Sequence, residues 1–250
     1  MEQVIEQVRY YRYLMPSIGT RKLHYLIQPK LKELGLKLGR DGLFDLLRER
    51  QMLIKPKRRY TKTTDSKHWM KKHPNLLKDG LKPKQSNEIY VSDITYLESA
   101  EGVHYLSLVT DAYTRQIKGY ALANDMKANT VVKALHQAVT LSEVGENIRP
   151  IHHSDRGSQY CSDTYQQALK RYGIQPSMTD GYDCYQNALA ERVNGILKLE
   201  FLTTRCQSLT DLDKLVSDSI RIYNEYRPHL SLGMLTPNQM YEKSKSQLLA

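Results

Sequence analysis

Three strand-like runs sit almost end to end between residues 89 and 123, and they constrain what this chain can build. Ile89–Glu98, His104–Tyr113 and Gln116–Ala123 are rich in β-branched and aromatic residues, broken only at Glu101-Gly102 and Thr114-Arg115. Runs joined by such short breaks form an antiparallel meander. The pattern then changes. Val131, Val132, Leu135, Ala138, Val139 and Leu141 fall at helical spacing within Ala128–Ser142. A strand over Pro150–Ser154, a helix over Ser162–Tyr172 and a strand over Gly173–Met178 follow. The order β-β-β-α-β-α-β, with further helices behind it, predicts an α/β domain with a mixed five-stranded sheet flanked by helices.

The segment ahead of the meander differs. Val4, Ile5, Val8, Tyr11 and Leu14 predict a first helix, ended by Pro16 and Gly19. A second is expected from Thr20 as N-cap, with Leu23, Leu26, Ile27, Leu31 and Leu34 on one face. A third, capped by Asp41, carries Leu43, Phe44, Leu46, Leu47 and Leu53. Residues 1–54 therefore read as a small all-helical, helix-turn-helix-like segment. Arg48 and Arg50 on it face either DNA or solvent. Residues 55–87, broken by Pro74 and Pro83, read as a basic linker. Its run Lys55-Pro-Lys57-Arg58-Arg59 either follows a phosphate backbone or is simply solvated. Trp69, the only tryptophan, is expected to pack against a neighbouring domain. Residues 88–202 form the predicted core. Residues 203–250 form a helical extension, with one helix from Thr210 to Tyr226 and another opening at Thr236-Pro237.

Charge separates the same two regions. Of a net +10, residues 1–88 hold 21 Lys and Arg against 9 Asp and Glu, whereas residues 89–250 hold 16 against 18. A basic front on a near-neutral body is expected of a polyanion-binding protein. Three cysteines without metal-finger spacing, no signal-peptide pattern and no apolar run of about 20 residues point to a reducing cytoplasm and away from membranes.

Three carboxylates carry the chemistry. Asp93 lies inside a strand, where aspartate is depleted and an uncompensated charge is costly. Asp155 follows a strand end, the position where α/β sheets place ligands. Glu191 belongs to a helical stripe of Asn187, Glu191, Asn194 and Lys198, at i, i+4, i+7 and i+11. Converging, these carboxylates can hold Mg²⁺, a hard cation that takes oxygen ligands, and a pair of ions can promote phosphodiester cleavage. His152 and His153 are expected to be packed or hydrogen-bonded, since Mg²⁺ prefers oxygen.

The stretches Ser92-Asp93-Ile-Thr-Tyr96, His153-Ser-Asp155-Arg-Gly-Ser-Gln-Tyr160, Ser177-Met178, Asn187-Ala-Leu-Ala-Glu191 and Lys198 together resemble the catalytic reading frame of bacterial insertion-sequence transposases of the two-reading-frame kind, relatives of retroviral integrases. That family carries an Asp, Asp, Glu triad with 35 residues between the last two, as between Asp155 and Glu191 here. Tyr223-Asn-Glu-Tyr-Arg227-Pro-His229 and Leu235-Thr-Pro237 resemble its C-terminal signature. The resemblance implies an RNase H-like fold and Mg²⁺ (or Mn²⁺), two ions, held by Asp93, Asp155 and Glu191. It implies cleavage at element ends and joining of the freed 3′-hydroxyl to DNA.

Lys198 would position a DNA phosphate, Asn187 and Asn194 would face the site and contact DNA, and Arg156, Ser158 and Gln159 would either touch DNA or shape their loop. Residues 179–186 correspond to a mobile loop in such enzymes. A companion protein from the upstream reading frame, a multimer on DNA and a bacterial nucleoid location are further implications. Two alternatives are an inert DNA-binding regulator and a ribonuclease of the same fold.

Overall fold

The computed structural model describes residues 1–55, 68–78, 80–142, 149–180 and 187–248. The meander forms as expected. Strand β1 (Ile89–Ser99) pairs antiparallel with β2 (Gly102–Asp111), and β2 with β3 (Ile117–Ala123). Helix α4 (Ala128–Thr140) then leads to β4 (Ile151–Ser154), which joins β1 in parallel. Two helices, α5 (Ser158–Cys161) and α6 (Asp163–Arg171), precede β5 (Gln175–Met178), parallel to β4. The sheet order is β3-β2-β1-β4-β5, a mixed five-stranded sheet.

Strand alternation sorts the two faces. On β2, Val109 turns toward α4 with Tyr90, Ala121, Ala134 and Ala138. Leu106 and Leu108 turn to the opposite face, with Leu97 and the carboxy-terminal helices. Helix α4 lies hard against β3 at Gly119, where a Cβ would fall 2.0 Å from the Ala134 carbonyl oxygen. Only glycine fits that approach.

The opposite face is covered by α7 (Ala188–Ile196), its π-helical continuation (Leu197–Phe201) and α8 (Leu209–Tyr226). Three amino-terminal helices, α1 (Glu2–Leu14), α2 (Thr20–Glu33) and α3 (Arg40–Glu49), share one continuous apolar core with them. A short turn (Leu230–Leu232) and α9 (Pro237–Leu248) complete the chain. Thr236 caps α9 reciprocally with Gln239.

Several local expectations are corrected. Gly19, not Thr20, is the N-cap of α2, and Gly39, not Asp41, that of α3, so both helices begin without a side-chain cap. Leu53 lies beyond α3, and Phe44 is exposed. Helix α8 begins one residue before the expected Thr210, because Ser208 and Asp211 form a capping box.

Within the expected linker, residues 68–77 run as a strap along the free edge of β5. Met178 N donates to Pro74 O at 3.3 Å, and Leu76 N to Ser177 Oγ at 3.0 Å. Trp69 is not packed against a neighbouring domain: it is 93% exposed. Met70 and Leu77 are the strap side chains that pack against the core, and Trp69, between backbone anchors, is left outside it. Lys57, Arg58 and Arg59 lie outside the described residues.

A buried ionic node joins the front and back of the chain. Arg227, 1% exposed, donates twice to Glu200, at 2.8 and 2.7 Å, and Lys22 of α2 donates to the same carboxylate at 3.2 Å. Burial pushes the Glu200 carboxyl up, but the hydrogen bonds and charges of Arg227 and Lys22 outweigh it and hold it below the ordinary value. The signature around Tyr223 is structural. Asn224 exchanges two 3.0 Å hydrogen bonds with the backbone of Ile117 and so covers the edge of β3. Tyr223 Oη donates to Arg115 O.

Candidate active site

Asp93 sits on β1 with its side chain on the face that α7 covers, because Val91, Asp93 and Leu97 alternate to the same side. Strand β4 runs parallel beside it, with His153 opposite Val91. Carrying that register two residues on, past the end of the paired stretch, sets Asp155 beside Asp93. Neighbouring strands lie about 4.8 Å apart. Gly157 N donates to Asp155 Oδ1 at 3.0 Å, fixing the carboxylate in a tight turn.

Helix α7 crosses β1 here and is stitched to it by two asparagines. Asn187 Nδ2 donates to Ser92 O at 2.9 Å, and Asn194 Nδ2 to Asp93 Oδ2 at 2.8 Å. Both are buried, each 4% exposed. In this structure they hold the helix and the carboxylate instead of facing solvent, which revises the expectation that they contact DNA. Glu191, between them on the stripe, stays exposed at the helix surface.

Electrostatics link the three acids. Burial, then the negative charge of Asp155, pushes Asp93 up to about 7; the amide of Asn194 and the N–H of Ile94 pull it down, and Glu191 pushes it up again. Burial and Asp155 likewise raise Glu191. Among the described residues, however, no three His, Cys, Asp or Glu side chains stand close enough to form a ready-made metal cage. Asp93, Asp155 and Glu191 are thus within one another's field without closing into a three-ligand cluster. The donor set still fits a hard divalent cation: three carboxylates, all oxygen, whose mutual repulsion a cation would relieve.

Lys198 follows on the same stripe, within the π-helical turn. Its ammonium lies 3.3 Å from Thr95 Oγ1 and 4.1 Å from the centre of the Tyr96 ring. Arg156 is directed inward, Nε donating to Thr179 O at 2.6 Å. The two histidines behave as expected of packed residues. His152 Nε2 hydrogen-bonds with Ser92 Oγ and Tyr165 Oη, both at 2.8 Å, and burial, then His153, lowers its pKa to about 3. His153 Nδ1 meets Ser177 Oγ at 2.8 Å. Sequence reasoning missed Thr95 and Tyr96 as the seat of Lys198, and Glu200 as the anchor of its turn. The only signal was that residues two apart on a strand share a face.

A mixed β3-β2-β1-β4-β5 sheet with one acid inside its central strand, a second just past the end of the adjoining parallel strand and a third on the crossing helix is the arrangement of an integrase-type core. The chain matches the family model described as "Integrase core domain" over residues 83–184, and a second model of the same description over residues 172–237. It belongs to the insertion-sequence transposases that carry this core.

It is 37% identical over 229 residues to the "Insertion element IS600 uncharacterized 31 kDa protein" of Shigella sonnei, covering 91% of this chain and 82% of that one. It is 31% identical over 204 residues to "Transposase InsF for insertion sequence IS3A" of Escherichia coli, covering 79% and 69%. Its fold is that of retroviral integrases, and hence RNase H-like. The HTLV-2 integrase catalytic core in complex with magnesium superposes with a TM-score of 0.51 at 20% identity, over 63% of this chain and 98% of that one. The simian T-cell lymphotropic virus intasome gives 0.55 at 18% identity, over 89% and 74%. Among the described residues no helix is long and apolar enough to cross a membrane.

Proposed function

We propose that this protein is a metal-dependent polynucleotidyl transferase that cleaves phosphodiesters at insertion-sequence ends and joins the 3′-hydroxyl to DNA. The observation that carries the reading is the placement of Asp93, inside β1, beside Asp155, just past β4, with Glu191 on the helix that crosses them; burial first, then the charge of Asp155, raises Asp93 to about 7. Asp93, Asp155 and Glu191 are the residues that would hold Mg²⁺ or Mn²⁺, together with waters, since such ions keep several in their shell. When bound, two such ions activate the attacking oxygen and stabilise the leaving one.

The chain's own groups prepare that site. Asn194 orients one oxygen of Asp93, Gly157 N orients one of Asp155, and Asn187 fixes the start of α7 on β1. Lys198, two helical turns beyond Glu191, supplies a point charge on the Tyr96 side of the site, where a DNA phosphate is neutralised. Arg156 holds the loop after Asp155 through Thr179. Residues 88–202 form the catalytic unit, residues 1–54 a DNA-contacting segment, residues 55–87 a basic connection and residues 203–250 a buttress. Double-stranded DNA is the substrate, a multimer on DNA the working form, the companion upstream-frame protein a further partner and the bacterial nucleoid the location.

The test is incubation of purified protein with labelled element-end DNA and Mg²⁺. Cleavage and joining, abolished in Glu191→Gln, support the reading. DNA binding without nicking indicates a regulator, and cutting confined to RNA–DNA hybrids indicates a ribonuclease; either result overturns it.

A further inference from the structure

Trp69 has no packing role, yet its position is fixed. The strap that carries it is pinned on both sides: His68 Nε2 hydrogen-bonds with Arg156 O at 2.7 Å, and His73 N donates to Met178 Sδ at 3.5 Å. Beneath it runs a groove of about 730 Å³ between the strap, the start of α6 and the chain entering β5. That volume is in the roughly 300–1,000 Å³ range of sites that enclose a small organic group. Lys71, Arg149 and Lys170 line it against the single acid Asp163. His68, next to Trp69 on the strap, is bonded to the carbonyl of the residue that follows Asp155.

We propose that this groove binds a DNA strand leaving the active site, with the Trp69 indole stacking on an unpaired base. The inference rests on the DNA-processing reading above and adds to it a site and a ligand class. Three basic side chains beside an exposed ring form the combination by which proteins hold single-stranded nucleic acid: cations follow the phosphates and the ring takes a base of any identity. A duplex offers no free base face, so the site selects unpaired flanks. The bond from His68 to Arg156 O ties the strap beside Trp69 to the chain just past Asp155.

The chain carries its own probe, because Trp69 is its only tryptophan. The full chain, free of divalent metal so that nothing is cut, is titrated with labelled blunt duplex and with the same duplex bearing a single-stranded flank. Anisotropy reports binding and tryptophan emission reports the groove. Flanked DNA is expected to quench Trp69 strongly and blunt DNA weakly. Trp69→Ala, a surface change, is expected to weaken the flanked duplex roughly tenfold and the blunt one little. Lys71→Ala with Lys170→Ala is expected to lower the salt dependence of flanked-DNA binding by about two phosphate contacts.

Binding of flanked DNA with unchanged Trp69 emission overturns the assignment and leaves the DNA-processing reading standing. Emission that changes with protein concentration alone, alongside self-association in sedimentation, gives the groove to a second copy of the chain and also overturns it. Failure to bind either DNA removes both readings.

Discussion

Asn194 Nδ2 donates to Asp93 Oδ2 at 2.8 Å, tying the helix of Glu191 to the strand of Asp93. That amide is one of the groups holding Asp93 down against burial and Asp155. Asn194→Ala is therefore expected to raise Asp93 further and move the acid limb of the pH–rate profile to higher pH. The loss at neutral pH should be about 10–100-fold, as for other residues that orient a metal-binding group. A pH–rate profile of DNA-end cleavage checks it; an unshifted limb contradicts it.

Asp93 itself is expected to trade stability for chemistry. Its folded value, about 7, lies above the ordinary carboxylate value of about 3.9. The folded state therefore binds the proton more tightly than the unfolded one. The ionisation penalty is absent below about pH 4, grows between pH 4 and 7, and is complete above 7. Without divalent metal, Asp93→Asn is expected to be more stable than the parent by about 1–3 kcal/mol at pH 8 and equal to it near pH 4. Urea unfolding at both pH values measures this.

The contact of Gly119 with α4 leaves no space for a side chain. Gly119→Ala is expected to push α4 off β3, at a cost of about 1–3 kcal/mol or more. Calorimetry should show the lowered Tm, and an unchanged Tm would mean that the helix sits farther from the sheet.

Arg227→Met removes both Arg227 hydrogen bonds from the largely buried Glu200, leaving it Lys22 alone, and is expected to cost up to about 3–5 kcal/mol. Adding Glu200→Leu together with Lys22→Met should recover much of this, because the buried charges then go together. Equal destabilisation in the single and triple variants would contradict the buried-node account. The single variant should also slow DNA processing, since Glu200 lies in the same π-helical turn as Lys198.

The sheet was legible in the sequence because its signals are local. The β1–β2 hairpin follows from alternation and a Glu-Gly break, and the helices flanking the sheet from 3.6-residue spacing. Asp93, Asp155 and Glu191 were singled out together, by the motifs around them and the 35 residues between the last two, since each alone also fits an ordinary turn or helix. What escaped depends on pairs far apart in the chain. Glu200 with Arg227 and Lys22, and Asn224 with the edge of β3, leave no periodic trace. Trp69 was misjudged because burial of a lone tryptophan is a statement about averages, whereas the strap is held by its backbone, by His68 and by Met70 and Leu77. The polar stripe of α7 was read correctly as a stripe, but its asparagines turned inward because β1 offers them a carbonyl and a carboxylate.

The central claim is that Asp93, Asp155 and Glu191 share bound metal, although no three-ligand cage is preformed among the described residues. Anomalous diffraction from crystals of the DNA complex soaked in Mn²⁺ tests it most directly. The account predicts manganese peaks ligated by Asp93 and Asp155, with Glu191 completing the set, and their loss in Asp155→Asn. Manganese bound elsewhere, or Glu191 directed away from every peak with DNA in place, would contradict it.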